Sequence, residues 1–139
     1  MLTDTDIDRL ASAIVTKLRL TPRALRKVQE TASRAEFLAS DLAAQAIRIR
    51  DAIEEAASLP KGALASNNRQ AFVLPARYAA ILCMREELMN ISTPQIGMVL
   101  GDRDHTTILQ GLKMAKKLRQ EGEIGWLLTA GRKALVEGA

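Results

Sequence analysis

The stretch Gly101-Asp-Arg-Asp-His-Thr-Thr-Ile-Leu109 gathers a carboxylate, an imidazole, two hydroxyls and a guanidinium where a helix is expected to begin. Those groups match the edges of base pairs. Asp accepts from the cytosine amino group, Thr pairs a hydroxyl with a methyl that suits thymine, and His donates. The positive end of a helix dipole also favours phosphate nearby. Further along, Lys113, Lys116, Lys117 and Arg119 form a basic tail suited to a nucleic-acid backbone. A charge run of this kind is, taken alone, ordinarily a solvated face. Two enzymatic chemistries use the same residues. Asp102, Asp104 and His105 are candidates for a metal site, and Cys83 with His105 for a thiol–imidazole pair. Asp102 is expected to cap the helix and point at backbone N–H groups, and no second carboxylate pair lies nearby. Nothing in the sequence lowers the pKa of Cys83. No catalytic residue, metal or cofactor is therefore assigned, and the protein is expected not to be an enzyme.

The elements around this stretch outline a helix-turn-helix. Pro75 opens a helix over Ala76–Met89 with Tyr78, Ile81, Leu82 and Leu88 on one face. Asn90-Ile91-Ser92 breaks it, and Ser92 or Thr93 caps a short helix from Pro94 that carries Ile96, Val99 and Leu100. Gly101 supplies a tight turn, and the next helix is expected from Arg103 to about Arg119. A short helix, a glycine turn and a second helix, preceded by another helix, is the motif's order. A last helix follows Gly125, with Trp126 expected to close the core.

The N-terminal part is helical as well. Thr3 or Asp4 caps a helix with Ile7, Leu10, Ile14 and Leu18 at 3–4-residue spacing, ending before Thr21-Pro22. Pro22 starts a second helix, whose apolar seam runs from Leu25 through Val28, Ala32, Ala35 and Ala39 to Ile49, Ile53 and Ala56. One uninterrupted helix of some 35 residues, about 50 Å long, is expected. The first helix folded back as a hairpin covers only half of it, so pairing with a second copy is expected to cover the rest. Ser58-Leu-Pro-Lys-Gly62 ends the helix, and the aperiodic stretch after it reads as a linker. The expected organisation is all-α: a helical region over 1–60, a linker over 61–74 and a DNA-binding domain over 75–139.

Composition agrees with this and excludes other classes. Aromatic residues are 3% of 139, too few for a β-sandwich or barrel, and 47% hydrophobic with 26% charged residues suits a folded globular chain. The net charge of +4 is not spread evenly. Residues 1–60 carry nine basic and nine acidic side chains, whereas 61–139 carry eleven against seven, so the second half holds the whole surplus. One cysteine offers no internal disulfide. No apolar run approaches the roughly 18 residues of a membrane span, and the acidic N-terminus is unlike a signal peptide. A cytoplasmic, nucleoid-associated protein with no membrane partner is expected.

With Thr93-Pro94-Gln95-Ile96-Gly97 ahead of Gly101-Asp-Arg-Asp-His-Thr-Thr107, residues 69–118 resemble the C-terminal DNA-binding domain of the bacterial replication initiator DnaA. That family shows G-G-R-D-H-T-T after L-P-x-I-G. The resemblance implies that Asp104, His105 and Thr106 read base edges in the major groove and that Pro94 touches a thymine methyl. It implies that Arg69 enters the minor groove from a loop, and that Arg77, Arg103 and Thr107 meet phosphates, with Arg85, Lys113 and Lys117 as further phosphate contacts. This chain departs from the pattern at Asp102 (second glycine), Thr93 (leucine), Glu86 (a lysine), Gln110 (often histidine) and Met114 (often basic). These departures bear on the preferred DNA sequence. No G-x-x-x-x-G-K-[ST] occurs, so no nucleotide partner is expected. The resemblance is thus to a DnaA-like domain without the ATPase, of the kind found in phage or gene-transfer-agent regulators. A homodimeric transcription regulator of double-stranded DNA is expected, with RNA polymerase, a sigma factor or another DNA-binding protein as further partners. The alternatives are replication control at initiator boxes and a protein-interaction adaptor working through the long N-terminal helix.

Overall fold

The computed structural model describes residues 4–9, 21–67 and 72–137. Among these the chain is all-α, with no strand. Residues 4–9 belong to α1; α2 (Pro22–Leu38), α3 (Asp41–Ala56), a 3-10 turn (Ala63–Ala65), α4 (Leu74–Glu87), α5 (Thr93–Val99), α6 (His105–Gln120) and α7 (Gly125–Glu137) follow. Two compact units result, residues 1–39 and 40–139.

The expected continuous helix over 22–56 does not form. Ser40 leaves helical geometry (φ −85°, ψ 162°), and its hydroxyl accepts from the Ala43 N–H at 3.2 Å. A serine side chain competes for backbone groups in this way and favours the cap over the helix interior. The seam is thereby divided between the two units, and the boundary falls at Ala39/Ser40 instead of at residue 60. In the first unit Thr21 caps α2 through the Ala24 N–H and Pro22 opens it, as the sequence implies. Ile7 of α1 and Ala32 of α2 line one shallow cleft, so the two helices lie side by side there. Phe37 is buried, while Val28 and Leu38 remain 37% and 40% exposed.

The second unit owes its core to α3 and α4. Ala43, Ala46, Ile49 and Ile53 face inward along α3, which packs against α4, α5 and α7. The C-terminal part of the expected dimer seam is therefore consumed inside the unit. Burying each side chain the size of Ile49 or Leu82 is worth roughly 1.5–3 kcal/mol, so this placement outweighs any pairing that would expose it. Helix α4 runs through the middle, touching α3, α5, α6 and α7. Ala76, Ala79, Ala80, Ile81, Leu82, Cys83 and Met84 are all buried along it, as a helix hydrophobic nearly all round should be. Ser92 and Gln95 close a reciprocal capping box on α5.

Two further expectations are corrected. Residues 61–67 are not a linker. Leu64 is fully buried, Gly62 turns the chain with φ +89°, and the segment is strapped across the domain. Trp126 does not close the core either: it is 57% exposed. Ile124, Leu127, Leu128 and Gly131 take the inward positions, which leaves Trp126 on the outer side of α7.

Candidate nucleic-acid interface

The approach to α6 is shaped by two glycines. Gly101 has φ +86°, and a Cβ there would lie 2.1 Å from the Ala65 carbonyl oxygen, so no other residue fits. A Cβ on Gly97 would lie 2.1 Å from the Arg103 carbonyl oxygen, which allows the chain after the turn to lie directly on α5. The Arg103 N–H donates to Gly97 O at 3.0 Å and completes the crossing. Asp102 also has positive φ, +61°. This explains why a second glycine suits the position in the DnaA signature and why aspartate, which tolerates that region better than most residues, can replace it.

Asp102 is consequently not the cap, and α6 begins at His105 instead of Arg103. Asp104 caps the helix: its Oδ1 accepts from the Thr107 N–H at 2.8 Å. That backbone bond, with the Thr107 side chain second, holds the Asp104 carboxyl below the usual carboxylate range. A carboxylate has about four acceptor sites, so capping leaves room for a further partner such as a cytosine amino group. His105, Thr106 and Thr107 follow, all exposed. Ile108, Gly111 and Ala115 turn inward, and the 3–4-residue spacing puts Thr106, Gln110, Lys113 and Lys117 along an exposed stripe. Pro94 is exposed at the start of α5.

The other expected contacts are placed differently. Arg77, expected at a phosphate, is 4% exposed; its Nε donates to Leu64 O (3.1 Å) and its Nη2 to Ser66 O (3.1 Å) and Ala63 O (3.3 Å). It fastens the interior, because a buried guanidinium must satisfy its donors and the strap carbonyls are within reach. Arg103 is half-buried and donates to Ser66 O, so its guanidinium turns inward as well. Arg85 is exposed and donates one bond to Ile91 O at 3.0 Å, steadying the turn after α4. Arg119, at the end of the basic tail, is paired with both carboxylate oxygens of Glu86 at 2.7 Å. Glu86 is the residue that departs from the family's lysine, and the pair removes one cation from the tail. Arg69 lies outside the described residues.

The sequence reading missed Glu54 and Ser66. Glu54 is 3% exposed on α3, and both its oxygens accept strap N–H groups. An acidic residue beside Ile53 on an otherwise apolar seam was the only available signal. Cys83 is buried, and burial, ahead of the nearby Glu87 carboxylate, pushes its thiol up to about 12. Among the described residues no three His, Cys, Asp or Glu side chains converge to hold a metal, and no helix is long and apolar enough to cross a membrane.

A short capped helix, a glycine turn and a second helix presenting polar side chains on its exposed first turn define a helix-turn-helix DNA-binding domain. Residues 47–114 match the family described as the bacterial dnaA protein helix-turn-helix. This part of the chain is a DnaA-type C-terminal DNA-binding domain, and the match begins within α3, in agreement with the unit boundary at Ser40. The chain is 42% identical over 72 residues to the chromosomal replication initiator protein DnaA of Thermomicrobium roseum, covering 51% of this chain and 15% of that protein. It is 39% identical over 56 residues to that of Clavibacter sepedonicus (40% and 11%) and 42% identical over 40 residues to that of Neisseria meningitidis serogroup C (29% and 8%). The similarity thus spans less than a sixth of the length of these relatives. No solved structure matches the chain.

Proposed function

We propose that the protein is a transcription regulator that binds a specific double-stranded DNA sequence as a homodimer. Asp104, His105 and Thr106 read base edges in the major groove, Pro94 meets a thymine methyl, and Arg69 enters the adjacent minor groove. Thr107, Lys113, Lys117 and Arg85 meet phosphates. The observation that carries this reading is the exposed first turn of α6, capped by Asp104 and followed by lysines on the same stripe. No catalysis, metal, nucleotide or membrane enters the proposal, and it places the protein in the cytoplasm, on the nucleoid. Pairing is assigned to the first unit, because α2 keeps apolar side chains exposed while those of α3 are buried. RNA polymerase or a sigma factor is the natural further partner of a regulator so bound.

A second reading is favoured by the relatives, whose name is that of the chromosomal replication initiator. In that reading the protein occupies initiator boxes and controls replication. Selection from random duplex DNA at about 150 mM salt, where non-specific binding is weak, separates the two. A paired motif of its own supports the regulator, and a single initiator-like box supports replication control. His105→Ala with Thr106→Ala removes base contacts worth about 1–3 kcal/mol each, so the preference for the selected site is expected to disappear. If that preference survives the double change, α6 is not the reading helix.

A further inference from the structure

The side chains proposed to read bases end with Thr106, yet the exposed stripe of α6 continues past it. Gln110 lies four residues further on, so the two side chains stand one above the other on the same face. Packing fixes that face. Ile108, Gly111 and Ala115 are buried on the inward side. A Cβ on Gly111 would lie 2.6 Å from Ile81 Cδ1, so α6 is seated closely against α4 at this level. A helix packed this tightly cannot roll without a clash, and Gln110 is thereby held outward, exposed.

The fold leaves the end of this side chain without a partner. Asp104 and Thr107 bond each other in the cap, whereas the Gln110 amide bonds to no described residue. It borders an open cleft of about 440 Å³ between α4 and α6, where its neighbours include Thr107, Tyr78 and the apolar Met114. A side-chain amide carries a donor and an acceptor on one planar end. Adenine presents the complement in the major groove, an N7 acceptor beside an N6 amino donor, and satisfies both at once. Guanine presents two acceptors there, neither of which the amide oxygen can use. A phosphate likewise offers only acceptors, and Lys113 and Lys117 on the same stripe already supply cations for it.

We propose that Gln110 is a specificity-determining residue that reads an adenine in the major groove, adding a base pair to those met by Asp104, His105 and Thr106. Four residues of helix advance about 6 Å, against about 3.4 Å per base-pair step. The adenine therefore lies within about two base pairs of the one that Thr106 meets. This rests on the DNA reading proposed above and extends it by one turn of α6.

The test uses the full chain, the duplex selected at about 150 mM salt and the set of duplexes that change it one base pair at a time. Wild type, Gln110→Ala and Gln110→Glu are each titrated by equilibrium competition across the set. At the position read by Gln110, wild type should prefer adenine about tenfold over the other bases. Gln110→Ala should cut that preference to about twofold or less, with discrimination at every other position within about twofold of wild type. Gln110→Glu should move the preference at this same position from adenine to cytosine, whose amino group donates to a carboxylate, although its added charge weakens binding to every duplex. A transferred preference cannot arise from a damaged fold, so the comparison stands even where one variant melts early. An equal loss by Gln110→Ala on all duplexes, with discrimination intact at each position, makes the amide a phosphate contact or a support of the helix and overturns the proposal. Binding by Gln110→Ala that matches wild type on every duplex overturns it too, while leaving the reading by His105 and Thr106 in place. A wild type that selects no site overturns that reading and the assignment of Gln110 together.

Discussion

Asp104 has an observed role as the cap of α6 and a proposed role as a base contact, and the two make different demands. As a cap it stabilises α6 in its ionised form, and as a base contact it needs an acceptor pointed outward. Its folded pKa lies below the ordinary carboxylate value, so the capping contribution is complete above the unfolded pKa, near pH 4, and is lost as pH falls through the folded value. Asparagine caps nearly as well but does not titrate in this range. The melting temperature of Asp104→Asn relative to wild type should therefore be constant above about pH 5, with the gap moving in favour of asparagine below about pH 4. Melts across that range check this, and a gap that does not change with pH means the carboxylate is not the cap. Of the arginines near this surface, the family resemblance implied phosphate contacts at Arg77 and Arg103. Their inward turn depends on the Ser66 carbonyl, which is far away along the chain.

Among the elements, the turn between α5 and α6 has the least freedom. Gly101→Ala meets both the left-handed penalty and the Ala65 oxygen at 2.1 Å. The conformational term alone is about 1–2 kcal/mol, so a fall in melting temperature on the order of 5–15 °C is expected for a unit of this size. A variant that melts within a degree of wild type would show that the strap does not press on the turn. The turn and its two helices were legible in the sequence because proline, serine and glycine punctuate them locally. The break at Ser40 was not. Ala39-Ser40 interrupts no hydrophobic period, and the cap wins only because α3 gains a buried face in the second unit.

At the scale of the whole molecule, α3 belongs to the unit that carries the helix-turn-helix, and the proposed function assigns pairing to the first unit. Residues 40–139 are expected to melt cooperatively, remain monomeric and bind a single half-site, whereas a chain beginning at residue 61 lacks Ile49, Ile53 and Glu54 and should not fold. Circular dichroism of the two fragments tests this. A folded 61–139 fragment would return α3 to the N-terminal part. Light scattering on the full chain at micromolar concentration should give a dimeric mass that the 40–139 fragment lacks, and a monomeric full chain refutes the proposed pairing.

Local chemistry in the sequence determined the helical class, the capped short helix, the glycine turn and the polar opening of α6. Each of these depends on residues within one or two turns of each other. Tertiary structure alone decided which charges face outward. Glu54, Arg77 and Arg103 come from three distant places and meet on one strap, because buried ionic groups are retained only where partners satisfy them. It also decided the unit boundary, since a seam read along one helix cannot show which of its faces the rest of the chain will cover.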